Sequence, residues 1–406
     1  MSTLKLRLLV VSTLFQVTFL GCGTHEWSAP QAIRDKGEAV VFIPSIASTN
    51  LIIDDGNDHK SLDIFDAIRK RPEAVGSYLD PFKVNENGSA LREASPKSLA
   101  IIYTMAANQM RKEGVTVYEF GYDWRKNLTS VAQDLESYIN RLPHKKVNLL
   151  SMSLGGLIAA KYIEHNASKV DKFISLGTPF LGSTKSLQFL LTGGFLGAKG
   201  QKAEEFRKFM KSVPPLYESL PGRRLSDITG HGPLEIMVKD QDKSFRGFPY
   251  FQDSWQFLQA TDRVNPKVLQ DTSQFIDGLD YERILSSVRT YFVVGDGIKT
   301  IETLQIVLAK SSSSYKVVEI KYPEQNYVSG DDTTTLVSAT IGGLATKISP
   351  NRVYYLRSPH INLMLSRDVL IFITRLTMEG TEEPVGKMRL HPFNQVAGHL
   401  LDTLQD

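Results

Sequence analysis

The run Val147-Asn-Leu-Leu-Ser151-Met-Ser153-Leu-Gly155-Gly156-Leu157 decides the fold. Residues 147–150 read as a buried strand, a small residue stands two before a serine and a glycine two after it, and a helical pattern begins at once. A serine on so sharp a strand-to-helix turn is held at strained backbone angles, and small neighbours give it clearance. Its Oγ then stands free at the C-terminal edge of a sheet, where the first amides of the helix favour developing negative charge. Ser153 is the candidate nucleophile, and Ser151 is the small spacer where glycine is usual. The alternative is a tight strand–helix turn without chemistry. The strand before, the Gly-Gly after and the helix that follows favour catalysis.

Outward from this turn, strand-like and helix-like segments alternate. Ala39-Val-Val-Phe-Ile43 is a continuous apolar run of the kind buried on both faces. The periodicity predicts helices over 98–111, 130–142, 154–165 and 366–378, and strands over 115–120, 172–176, 288–294 and 352–356. Such alternation predicts a parallel sheet with helices on both faces. From about 183 to 281 the strand rhythm stops and aromatic, turn-rich stretches such as Ser254-Trp-Gln-Phe257 replace it. That length is too great for a plain loop. The expected architecture is α/β, an α/β-hydrolase fold with an inserted cap: core over 37–185, cap over 186–285, core again over 286–380, and a helical tail over 381–406.

A nucleophilic serine needs an imidazole to take its proton and a carboxylate to fix the imidazole tautomer. On this fold they follow in the order Ser, acid, His. Of the eight histidines, His360, His391 and His399 come late enough. His360 follows the strand over 352–356 and is the candidate base, while His391 and His399 fall in the expected helical tail. For the acid, Asp331 and Asp332 follow Gly330, and Asp296 lies in Val294-Gly-Asp-Gly297. Both places are strand-end loops with glycine, each equally readable as a simple turn.

Composition is that of an ordinary globular protein, 42% hydrophobic and 22% charged over 406 residues. The formal charge of +3 falls to +1 without Lys5 and Arg7, and no Lys/Arg cluster offers a footprint for nucleic acid. Lys5 and Arg7 precede a mostly apolar stretch, Leu8 to Leu20, too short to span a membrane, and Gly21-Cys22 ends it. This predicts a signal segment over 1–21, lipidation at Cys22 and a tether over 22–36. Phe19 departs from the leucine usual in such a lipobox. Cys22 is the one cysteine, so an intrachain disulfide is excluded. The expected location is a bacterial membrane, reached by export, on the periplasmic or cell-surface side. Gly23 after the cysteine favours the outer membrane.

Several blocks, in order, resemble the lecithin–cholesterol acyltransferase-like group, which includes lysosomal phospholipase A2 and the phospholipid:diacylglycerol acyltransferases. They are Phe42-Ile-Pro-Ser-Ile-Ala-Ser-Thr-Asn-Leu51, Tyr122-Asp-Trp-Arg125, the nucleophile run, Phe173-Ile-Ser-Leu-Gly-Thr-Pro-Phe-Leu-Gly-Ser183, Val213-Pro-Pro-Leu-Tyr-Glu-Ser-Leu-Pro221, Gly330-Asp-Asp-Thr333 and His360-Ile-Asn-Leu-Met364. Tyr-Asp-Trp-Arg is the most specific. The resemblance implies Ser153 as nucleophile, His360 as base and Asp331, directly after the glycine of the Gly-Asp-x-Thr block, as acid. It also implies an oxyanion hole from the amides of Leu154 and Ala47, with Trp124 and Arg125 structural or lid-supporting. Ser151-Met152 in place of Gly-His, Ser45 in place of Gly and Thr334 where Val is frequent are departures that remove no catalytic group.

The expected activity is hydrolysis of lipid esters, phospholipids or acylglycerols, through an acyl-enzyme. A lipid anchor would hold the enzyme at a membrane surface. One alternative is O-acyl transfer to an alcohol, another a soluble small-ester carboxylesterase. An alternative of a different class is a lipid-binding lipoprotein without activity. No cofactor is implied, and no paired His/Cys spacing suggests a metal.

Overall fold

Strands β1 (Val40–Ile43), β6 (Val147–Met152) and β7 (Val170–Leu176) lie side by side at the centre of a six-stranded parallel sheet, and their apolar runs are explained by what covers them. Alternate side chains point to opposite faces of a strand. Val41, Ile43, Leu149 and Phe173 enter one hydrophobic core, while Val40, Phe42, Leu150 and Ile174 enter a second on the other face. The helices Leu128–Asn140 and Gly155–Asn166 cover the first face, and Ile101–Lys112 and Arg367–Met378 cover the second. This is the α/β-hydrolase fold. It is seen in a computed structural model that describes residues 39–392 apart from 55, 57, 241–242, 248–250 and 312–313. The expected signal segment, Cys22 and the whole of the tether over 22–36 lie outside the described residues, as does His399.

Between β1 and β6 the chain forms β2 (Thr49–Asp54), β3 (His59–Leu62) and β4 (Ser95–Leu99), a small antiparallel sheet, and then β5 (Val117–Glu119). The helix expected over 98–111 therefore starts only at Ile101, because residues 95–99 pair with β2. After β7 come β8 (Leu234–Asp240), β9 (Lys243–Gly247), β10 (Arg289–Gly295), β11 (Ile298–Ile301), β12 (Leu304–Ser311), β13 (Ser314–Lys321), β14 (Tyr327–Gly330) and β15 (Val353–Leu356). The main sheet runs β15-β10-β7-β6-β1-β5. The chain starts in β1, steps to the β5 edge, then returns to build the other side. That reversal lies between β1 and β6, and the crevice beyond such a switch point is where open α/β sheets place ligands.

Three expectations are corrected. The span 183–281 does contain strands: β8 pairs with β9 and, in parallel, with β12 from beyond β10, so the cap sheet β13-β12-β8-β9 is assembled from two separate stretches of chain. The second core half is likewise interrupted, since β11 to β14 leave the main sheet. The described part of the tail, residues 381–392, holds no helix; Arg389 instead bridges to Tyr355 beside the sheet edge, and His391 sits in this bend.

Candidate active site

The registers set the strand ends level. Ile43 pairs with Ser151, Met152 with Leu176 and Gly295 with Leu356, so the loops that follow these strands gather along one edge. Ser153 stands there at φ 57°, in the left-handed region that costs a side-chain-bearing residue energy, and its amide is tied to Leu176 O at 2.8 Å. The turn is forced to be tight by its neighbour: a Cβ on Gly155 would lie 2.4 Å from Ile43 O. The buried Ser151 supplies the second small residue.

His360 comes from the loop after β15 and begins the helix His360–Leu365. Its amide donates to Asp331 O at 2.7 Å, and its Nδ1 lies 2.7 Å from Asp331 Oδ2. The other carboxylate oxygen, Oδ1, accepts the amides of Thr333 at 3.0 Å and Thr334 at 2.6 Å. Asp331 is 1% exposed, so its carboxylate is committed in both directions. Burial opposes protonation of His360 most strongly, but the charge and hydrogen bond of Asp331, with help from Asp332, outweigh it and raise the imidazole above 6.5. His360 Nε2 is buried with no hydrogen-bond partner. A buried polar atom left so is costly and calls for a partner such as a water, an ion or a reacting group.

Asp296, the other sequence candidate for the acid, follows β10 and accepts the Ser329 hydroxyl at 2.5 Å. The pairing of β11 with β14 explains the difference. It sets Gly330 opposite Ile298, which carries Asp331 over the end of β10 and onto His360.

Ala47 lies in the loop after β1, also at φ 57°, and Leu154 caps the helix after the nucleophile, where amides lack intrahelical acceptors. Sequence reasoning missed what fixes this loop. Tyr122 donates its hydroxyl to Pro44 O at 3.0 Å, and Trp124 donates Nε1 to Thr49 O at 3.0 Å, so two residues of the Tyr-Asp-Trp-Arg block hold the loop's two ends. Arg125 is fully buried and pairs with Asp123 at 2.7 Å while donating to the carbonyls of Phe82 and Arg92. The signal was in the block itself: two aromatic donors alternating with the two members of an ion pair.

Ser153, Leu154, Ala47 and His360 line one cavity of about 830 Å³. Its walls are mostly apolar, with Phe65, Ile102, Phe189, Phe195 and Leu216 among them, and the cap helices Thr184–Thr192 and Gly200–Met210 form one side. Among the described residues no group of three or more His, Cys, Asp or Glu could hold a metal ion.

The family model of lecithin:cholesterol acyltransferase matches residues 77–329. The chain belongs to the lecithin:cholesterol acyltransferase family. The match covers more than half the chain and includes Ser153, but stops before Asp331 and His360. Among curated relatives, the Arabidopsis thaliana phospholipase A(1) LCAT3 is 25% identical over 125 residues, which is 27% of this chain and 28% of that protein. The lecithin-cholesterol acyltransferase-like 4 of the same plant is 26% identical over 123 residues, 26% of this chain and 23% of that one. The aligned part thus spans about a quarter of either relative's length. Among solved structures, that of the Tle4-Tli4 complex superposes with a TM-score of 0.55 at 15% identity, covering 83% of this chain and 97% of that one, a likeness of fold.

Proposed function

We propose that this member of the lecithin:cholesterol acyltransferase family is a serine acyl-ester hydrolase acting on lipid esters. The observation that carries the reading is His360, with Nδ1 on Asp331 and Nε2 unpaired, lining the same apolar cavity as Ser153. Ser153 Oγ attacks the ester carbonyl carbon, and its proton passes to His360 Nε2. Asp331 stabilises the imidazolium, and the amides of Leu154 and Ala47 receive the oxyanion. The tetrahedral intermediate collapses: the C–O bond breaks and the leaving alcohol takes the proton from Nε2. Water then attacks the acyl-enzyme and gives its proton to Nε2; the bond to Ser153 Oγ breaks, Oγ takes the proton back from Nε2, and the fatty acid leaves.

Family membership supports a second reading, in which an alcohol replaces water in the second half. The test is fatty-acid release from detergent-dispersed phospholipid, with and without added long-chain alcohol, beside Ser153→Ala. Acid release lost in the variant supports hydrolysis, and an ester product that grows with alcohol supports transfer. Neither product from folded wild-type protein leaves a lipid-binding role without activity.

We also propose export and lipidation at Cys22, which would hold the enzyme at a membrane. Incorporation of labelled palmitate, abolished by Cys22→Ser, is the expected result; incorporation that survives the substitution contradicts it.

A further inference from the structure

A second cavity shares a wall with the first. It holds about 480 Å³, within the range of small-molecule sites. The short helix Pro214–Glu218 stands between the two: Pro214 and Glu218 line this cavity, while Leu216, and Ser219 just beyond the helix, line the one that holds Ser153. The floor is buried and apolar, with Pro214, Val268 and Leu279, and the rim is exposed and polar, with Asn87, Ser89 and Gln274.

One group in this floor is out of keeping with it. Glu218 is 5% exposed. Its Oε2 accepts the Leu128 amide, and its Oε1 makes no hydrogen bond among the described residues. A glutamine would serve that amide equally well without an ionisable group. No cation is paired with Glu218 among the described residues. Of the two other ionisable groups that line the cavity, Lys161 is paired with Glu164 at 2.7 Å and Asp271 with Lys267 at 2.6 Å. Burying a carboxylate without a cation is costly, so burial favours the protonated form of Glu218, against the pull of the Leu128 amide. A cation brought to Oε1 reverses that balance, since an opposite charge favours the ionised form.

We propose that this cavity binds a small organic cation carrying hydroxyl groups, with its ammonium on Glu218 and its hydroxyls on the polar rim. An occupant there is not a substrate, because Ser153 and His360 line the other cavity. It touches the far side of the helix that walls the Ser153 cavity.

The probes are aminopropanediol and glycerol, which differ only in an ammonium for a hydroxyl. Binding to the full chain at neutral pH is followed by saturation-transfer NMR. Aminopropanediol is expected to bind saturably at millimolar concentrations, as its few heavy atoms allow, and glycerol is not. Glu218→Gln keeps the acceptor for Leu128 and removes the charge, and is expected to weaken amine binding by at least about tenfold. Ser89→Trp leaves Glu218 in place and narrows the mouth from an exposed position, and is expected to weaken binding as well. Ester turnover is not a readout, so the result stands apart from the hydrolase reading. Amine binding that survives either substitution unchanged, glycerol that binds as well as the amine, or folded wild-type protein that binds neither probe overturns the site.

Discussion

At the sheet edge around Ser153, backbone meets backbone so closely that a methyl group has no room. A Cβ on Gly295 would fall 2.2 Å from Asp331 Cβ, as one on Gly155 would on the end of β1. In the cap loop between the helices Thr184–Thr192 and Gly200–Met210, the space at Gly197 and Gly200 is empty and Leu196 is held at φ 47°, although at Gly193, where the loop begins, a Cβ would run into Ala203 O. The difference separates two tasks. Groups that move protons must be held to fractions of an ångström, so they sit on strand ends that cannot shift. The cap-side wall of the cavity sits on a loop anchored at Gly193 and loose beyond it. Close packing makes the first region intolerant of volume change, and the second is tolerant around Gly197 and Gly200.

The largest effect that sharpens this contrast falls on the two neighbouring aspartates at the sheet edge. Asp331→Asn is expected to lower kcat/KM by about 10⁴-fold through the wrong imidazole tautomer. Asp296→Asn, which alters the bond with Ser329 and leaves the Asp331–His360 pair in place, is expected to cost less than about tenfold. Steady-state kinetics on both variants decides between them, and equal losses would erase the distinction drawn here.

Arg125→Ala leaves Asp123 buried without its cation and is expected to cost about 3–5 kcal/mol in urea unfolding. Arg223→Ala in the cap, whose contact with Asp227 is exposed, is expected to stay within about 0.5 kcal/mol of wild type.

The joint between cap and core gives a smaller effect. Glu218, from the cap, accepts the amide of Leu128 at the start of a core helix at 2.8 Å. Burial lifts its carboxyl from 4.5 to about 8, against the pull of that hydrogen bond. The folded protein therefore keeps a proton that the unfolded chain releases, and stability falls as pH rises between those two values. Glu218→Gln keeps an acceptor and removes the titration. It is expected to raise Tm by a few degrees at pH 8 and hardly at all at pH 5, as followed by thermal unfolding.

The smallest is a shift in profile. As the proposed base, His360 must be neutral, so its raised value places the expected acid limb of kcat/KM above 6.5. The same shift contributes stability that is full below 6.5 and fades as pH rises through the folded value. A limb at or below 6.5 in a pH–rate profile would contradict the Asp331–His360 pair.

The sheet core was legible in the sequence because strands buried on both faces read as unbroken apolar runs, as in Ala39–Ile43 and 147–150. Ser153 was legible because its turn demands small residues at fixed offsets. The cap sheet was not. The segments Leu234–Asp240 and Leu304–Ser311 pair in parallel across seventy residues of chain, and neither signals its partner. The acid was not separable either. Asp296 and Asp331 each end a strand beside glycine, and only the β11–β14 register sets one of them on His360. There the family resemblance supplied what local pattern lacked. The clamp of Tyr122 and Trp124 on the loop after β1 was visible as a motif but not as a function.

The most direct test of the central claim is labelling of the purified protein with a fluorophosphonate that reacts with activated serines, beside Ser153→Ala. One labelled site is expected in the wild type and none in the variant. Labelling that persists in Ser153→Ala, or wild-type protein that is folded and stays unlabelled with detergent present, would contradict it.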